Sequence, residues 1–279
     1  MLDFLIKYRK NIYENFALLF VAILIGIIVS IVAQTLIFAV YFIFEFLFLN
    51  DSFTLKLNIK DIELNFLPIL ICVPASILVA LLMKFSGLKR WYGPADTIFA
   101  AHHRSGSLDI KGGCYSTLAS FISISGGASV GIYGPLVHFG ATISAYLRRL
   151  KFMPKIQHDI IIGSGVAAAI SAAFGAPIAG IIFAHETVLR HFSLKAITSI
   201  ALASITANYF AYKIDIVIPP LLLTEVPFEL SEVVPGLIIL GPLAAILAIS
   251  FMKSLIYMGS IPKKINLPNW QAPIIAGFL

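Results

Sequence analysis

Gly126-Gly127-Ala128-Ser129-Val130-Gly131-Ile132-Tyr133-Gly134-Pro135 is the stretch on which the fold turns. Its glycines interrupt one apolar run, and its Gly-Pro end opens another that continues to Leu147 with an amphiphilic helical pattern. A proline in a first helical turn gives up an N–H that has no intrahelical partner, and glycine lets the backbone approach another group closely. The amides of Ile132, Tyr133 and Gly134, backed by the positive end of the helix dipole, then form a candidate anion site. The same glycines, as Gly127-x-x-x-Gly131, equally suit close helix packing in lipid. The residues by themselves leave both readings open.

Around this stretch the chain is unusually apolar. Of its 279 residues 59% are hydrophobic and 12% charged, against roughly 45–50% and 25% in an average soluble domain. The apolar residues come in runs that a water-facing surface could not carry, so a soluble globule is excluded. The net charge of +6 does not indicate a nucleic-acid partner, because Lys and Arg sit at the ends of the apolar runs, as the positive-inside rule describes. Residues 1–15, with Lys7, Arg9 and Lys10, form a cytoplasmic N-terminus. Residues 16–49 are then apolar except for Gln34 and Glu45, too long a run for a signal-peptide core. As one helix the run would extend about 50 Å, so it must tilt steeply or project beyond the roughly 30 Å hydrocarbon layer. Residues 50–65 read as a polar external loop, and residues 66–83 as a second span returning to Lys84, Lys89 and Arg90 on the cytoplasmic side.

Beyond Arg90 the apolar runs shorten to residues 97–101, 114–124, 136–147, 160–174, 178–189 and 194–212, each bounded by Gly, Pro or polar residues. Several fall below the roughly 20 residues needed to span a bilayer. Short helices at membrane depth must bury their backbone ends in protein or line a wet cavity, which is how transporters build ion sites from discontinuous helices. Residues 214–233 read as a loop and residues 234–258 as a full span containing Pro235 and Pro242. A further apolar run starts at Pro273, after Lys263 and Lys264. The fold class is therefore all-α: a polytopic membrane helix bundle with broken helices. Neither metal-ligand spacing nor a cofactor motif is present, and Cys72 and Cys114 read as inert packing residues.

Two motifs in the broken region resemble the CLC family of chloride channels and proton-coupled chloride transporters. The family's G-(K/R)-E-G-P at a half-helix start is similar to Gly131-Ile132-Tyr133-Gly134-Pro135. Its A-A-F-(N/G)-A-P-(L/I)-A-G-(I/V)-(L/I)-F-x-x-E is similar to Ala172-Ala173-Phe174-Gly175-Ala176-Pro177-Ile178-Ala179-Gly180-Ile181-Ile182-Phe183-Ala184-His185-Glu186. The family's G-S-G-I-P-E turn has a partial counterpart in Trp91-Tyr92-Gly93-Pro94-Ala95-Asp96, where the serine is missing. The resemblance implies an inverted-repeat bundle, with residues 16–213 as the first repeat and residues 234–279 as the start of a second that reads as truncated. In that case the half-pathway is unclosed and needs its missing half from another chain. It also implies chloride or a similar small anion as cargo, voltage-gated chloride channel activity, lipid surroundings, a homodimer, and a bacterial inner or plasma membrane.

By the same resemblance Gly131, Ile132, Tyr133, Gly134 and Pro135 bind the anion, with Tyr92 and Gly93 standing where the central serine turn would be. The family's gating glutamate competes with chloride for this site and carries the coupled proton. Tyr133 occupies its position here; a phenol titrates near pH 10, so it neither mimics chloride nor carries a proton at neutral pH. It can still plug the path or donate its O–H to the anion, or simply fill space as packed aromatic bulk. Thr187 stands at the inner proton-transfer position, next to Glu186. With both proton carriers replaced, passive conduction is the expected mode, and proton-coupled exchange by another route is the alternative. Glu186, beside His185, Arg190 and His191, reads as a salt-bridged helix end before a proton relay, and His102, His103 and Arg104 as a solvated loop. The basic run Arg148, Arg149, Lys151 and Lys155 reads as a cytoplasmic anchor that also gathers anions. No enzyme is expected. Gly163-Ser164-Gly165 with His185 is faintly similar to the dyad of rhomboid-type intramembrane proteases, but Ile162 stands where that motif needs glycine.

Overall fold

The computed structural model describes residues 2–49, 56–59, 62–65, 67–103, 108–128, 130–150, 157–214, 230–264 and 268–278. A first helix α1 (Leu2–Phe44) runs straight through the long apolar segment and ends in a π-helical turn, Glu45–Leu49. A two-stranded antiparallel hairpin follows, β1 (Lys56–Ile59) and β2 (Ile62–Asn65), with Leu57 opposite Leu64 and Ile59 opposite Ile62. The connection read from sequence as a polar external loop thus contains two paired strands. Its alternating Lys-Leu-Asn-Ile and Ile-Glu-Leu-Asn has the two-residue period of a strand, masked by its brevity.

The remaining described elements are helices: α2 (Leu67–Ser86), α3 (Pro94–His102), α4 (Ile110–Ser125), α5 (Tyr133–Arg148), α6 (His158–Phe174), α7 (Pro177–Phe183) extended by a π-helical turn at Ala184–Leu189, α8 (Leu194–Ile214), α9 (Leu230–Lys264) and α10 (Ala272–Phe278). Phe16–Phe48 and Val234–Ser260 are long and apolar enough to cross a bilayer, with mean hydropathies of 3.1 and 2.3. The two differ in surroundings: α1 buries one face, whereas α9 is exposed from Val234 to Gly259.

The core is built around α6, whose residues from Ile160 to Ala173 are all buried. It packs against α1, α5, α7 and α8. In lipid, apolar burial gives helices little reason to associate, so contact area and small residues decide. A Cβ at Gly140 of α5 would lie 2.5 Å from the Gly165 carbonyl oxygen of α6, and one at Gly165 would strike the Gly140 carbonyl in return. Gly26 of α1 is similarly pressed to 2.6 Å from the Ala203 carbonyl oxygen of α8. These glycines set how near the helix axes come.

Polar side chains then tie the broken helix ends. Gln34, an apparent blemish in the apolar run, is 2% exposed and donates its side-chain N–H to the Ala172 carbonyl in the last turn of α6 (2.5 Å). That carbonyl has no acceptor role left inside the helix. Ser171 donates to the Ser204 carbonyl (2.7 Å), and Ser204 donates to the Pro177 carbonyl at the start of α7 (2.9 Å). Gly175 (φ 64°) closes α6 in the left-handed conformation, its N–H donating to the Ser171 carbonyl. Cys72 is half-buried and its thiol lies 3.2 Å from the Gly126 carbonyl oxygen. Cys114 lies on the exposed side of α4, so it is not a packed core residue as the sequence led one to expect.

Candidate functional site

Two half-helices start beside each other. The N-terminal residues of α3 and α5 touch through Pro94 and Gly134, where an added glycine Cβ would be 3.7 Å from the proline ring. Pro94 is the first residue of α3, where its missing N–H costs nothing. Asp96 accepts the Gly93 N–H (2.9 Å) and pairs bidentately with Arg90, whose guanidinium also lies over the Tyr92 ring. This carboxylate caps α3 and balances a cation, so it is occupied structurally.

The approach to α5 is a set of glycine-dependent turns. Gly126 and Gly127 end α4, the Ala128 amide reaches back to the Ser123 carbonyl (3.0 Å), and Gly131 has φ 74°. Nothing lies within 4 Å of a Cβ built on Gly131, so glycine is needed there for backbone conformation and not for space. α5 begins at Tyr133, two residues before Pro135. Ile132 is already in right-handed helical conformation and its carbonyl accepts the Leu136 N–H (3.2 Å). Pro135 therefore sits inside the first turn, where a proline is still tolerated because that turn's amides have no carbonyl to reach.

Between these two starts lies a cavity of about 240 Å³, room for about eight waters at roughly 30 Å³ each. Tyr92, Gly93 and Pro94 line it from α3, Ser116, Thr117 and Ser120 from α4, and Val130, Gly131, Pro135 and His138 from α5 and its approach. The Ser116 hydroxyl accepts the Tyr92 N–H (2.8 Å), fixing the α3 turn to α4. Among the described residues no carboxylate lines this space. Partial positive charge from two helix N-termini facing a small polar cavity suits an anion without a full cation.

Of the residues expected at the site, Tyr92, Gly93, Gly131 and Pro135 meet around the cavity, and Gly134 forms the contact between the two helix starts. Ile132 instead faces an apolar pocket with Leu36, Val40 and Phe121. The Tyr133 ring is not among the lining groups; it stacks on Phe174 at the end of α6, with centroids 3.9 Å apart, and stays 37% exposed. Ser116, Thr117, Ser120 and His138 escaped the sequence reading. The serines and threonine recur at i, i+1 and i+4 along α4, a spacing that places Ser116 and Ser120 on one face and is the signal that could have found them; His138 has no such signal.

The downstream motif is arranged differently from its sequence reading. The π-helical turn at Ala184–Leu189 closes with the Arg190 N–H on the His185 carbonyl (2.8 Å), and Arg190 (φ 57°) ends it in the left-handed region. The wider turn buries His185, Val188 and Leu189 and leaves Glu186 exposed, with no ion pair among the described residues. Glu186 is thus not the salt-bridged helix end that was expected; His191 pairs with Asp159 instead (3.2 Å). Thr187 is half-buried. The Ser164 hydroxyl donates to the Ile160 carbonyl and lies 3.2 Å from Ser199, while His185 Nδ1 bonds the His191 carbonyl, so these two do not form a dyad. His102 is the last residue of α3 and His103 is exposed against Phe99; Arg104, Lys151 and Lys155 lie outside the described residues. Arg149 donates to the Leu108 carbonyl (2.9 Å).

A family model described as voltage gated chloride channel matches residues 71–279, the region that contains both half-helices. The chain belongs to the voltage-gated chloride channel family. Its fold is that of a polytopic, all-α membrane protein of this family: it is similar to a slow cyanobacterial Cl-/H+ antiporter seen by X-ray crystallography, with a TM-score of 0.73 and 21% identity over 94% of this chain and 63% of that one. A putative chloride channel protein ClcB-like from Ralstonia nicotianae is 29% identical over 147 residues, 50% of this chain and 34% of that protein. The human H(+)/Cl(-) exchange transporter 3 is 30% identical over 102 residues, 36% of this chain and 12% of that protein. The chain thus spans about a third of the length of the Ralstonia relative.

Proposed function

We propose that this voltage-gated chloride channel family member moves chloride, or a small anion like it, passively across a membrane. The anion rests in the cavity between the starts of α3 and α5. The observation that carries the reading is the convergence of two half-helix N-termini on a space lined by Ser116, Thr117 and Gly131 and, among the described residues, by no carboxylate. Tyr133, where a gating glutamate would stand, has no charge to offer at neutral pH and is held against Phe174. It acts as a steric gate, and Thr187 leaves the inner proton position without a carrier. Two relatives named as proton-coupled exchangers favour a second reading, chloride exchange coupled to protons by another route. We also assign a homodimer, by the family resemblance alone, and place it in a bacterial plasma membrane, a location supported by the bacterial relatives.

Chloride efflux from vesicles containing the purified chain tests the two readings together. Passive movement gives efflux with no proton uptake into the vesicle lumen, whereas proton uptake driven by the chloride gradient supports coupled exchange. No efflux at all would mean that the chain needs a partner to complete the path.

A further inference from the structure

His138 is placed for more than packing. It is 2% exposed, one turn beyond Pro135 on α5, and forms part of the cavity wall. Its Nδ1 lies 2.9 Å from the hydroxyl of Thr97, a fully buried residue of α3. Its Nε2 is buried and has no hydrogen-bond partner among the described residues. A buried nitrogen without a partner is costly, whether it carries a proton or a lone pair. Such a group at the wall of a cavity shaped for an anion needs that cost explained.

The surrounding charges are few. Asp96 of α3 and Arg90 before it are already paired with each other. The Tyr92 ring stacks on the imidazole at 6.4 Å. On the cavity side α4 contributes the uncharged Ser116, Thr117 and Ser120, and α6 meets α5 through Gly165 and Ala169. With Nδ1–H donating to the Thr97 hydroxyl, the Nε2 lone pair is free to take a proton.

We propose that His138 is a proton-linked ligand of the anion: one proton from solvent binds Nε2 as chloride enters the cavity, and the imidazolium and the anion compensate each other's burial. The inference rests on the cavity being the anion site. No covalent bond forms or breaks in the backbone or cargo, and the proton leaves again when the anion does. A buried cation is stable only with a counter-ion, and by linkage the affinity for chloride must rise as the proton becomes available. Because the proton returns to the side it came from, pH sets how tightly the anion is held without adding to the driving force.

The test is titration calorimetry of the full chain in detergent with sodium chloride from pH 5 to 8, in buffers of different ionisation heat. The proposal expects the wild type to take up as much as one proton per chloride, with affinity rising up to about ten-fold per unit fall in pH. His138→Gln keeps a polar side chain, and is expected to bind chloride with no proton uptake and a flat pH profile. Thr97→Val removes the partner of Nδ1 while leaving the imidazole in place, and moves the uptake to lower pH. Binding by the wild type without uptake overturns the proposal, as does uptake unchanged in His138→Gln or unmoved in Thr97→Val. Chloride failing to bind the wild type at any pH overturns the anion-site reading itself, a different result from a pH dependence that ignores His138.

Discussion

Two glycines, one within a short helix and one just before it, show what glycine can be used for. Midway along α5, Gly140 meets Gly165 of α6 so closely that either Cβ would strike the opposing carbonyl. At its approach, Gly131 has open space around it and a φ of 74°. The first glycine serves packing and the second serves chain direction. A packing role was open in sequence for Gly127-x-x-x-Gly131, but nothing lies within 4 Å of a Cβ built on Gly131, and the close packing of α5 falls at Gly140 instead. Close packing fixes α5 rigidly against the buried α6, and that rigidity holds its free N-terminus at the rim of a cavity.

The sharpest way to break this contrast is Gly165→Val. Its added carbons meet backbone that cannot swing away, and overpacking costs about 1–3 kcal/mol, with the upper end expected here. Thermal unfolding in detergent should show a large loss of stability, and a near-neutral result would mean that the α5–α6 crossing is looser than the structure has it. At the other end of α5, Tyr133→Glu places a titratable carboxylate at the half-helix start. Ionised above its usual range near pH 4.3, it competes with chloride for the first-turn amides; protonated, it lets go. Chloride flux through reconstituted protein should therefore fall several-fold as pH rises from 4 to 7, and flux indifferent to pH would separate Tyr133 from the anion path. Gly131→Ala meets no atoms but must adopt a left-handed backbone, at a cost of about 1 kcal/mol. It should weaken the fold far less than Gly165→Val in the same unfolding assay; equal losses would erase the distinction. Gln34→Leu is the mildest, since interhelical hydrogen bonds in membranes are worth about 0.6 kcal/mol on average. The same assay should register a small loss as the Ala172 carbonyl loses its donor.

The half-helices were legible because Gly and Pro punctuate them: Gly93-Pro94, Gly131 to Pro135 and Gly175 to Pro177 each mark a real break. The touching starts of α3 and α5 could be expected only by resemblance, because periodicity says nothing about which ends meet. The cavity wall was less visible. Ser116, Thr117 and Ser120 look like ordinary interruptions of an apolar helix, and His138 lies within a run whose pattern is satisfied without it. Glu186 was misread because a π-helical turn shifts which residues share a face, and the apolar period of residues 178–189 does not announce one. The hairpin at residues 56–65 was missed because four-residue strands are too short for alternation to stand out from a polar loop.

The most direct test of the central claim is to locate the anion. Crystals of the full chain grown in bromide and measured at the bromine absorption edge should show an anomalous peak between the starts of α3 and α5, bounded by Ser116, Gly131 and His138. A bromide peak elsewhere along the helices, with that cavity empty of it, would contradict the account.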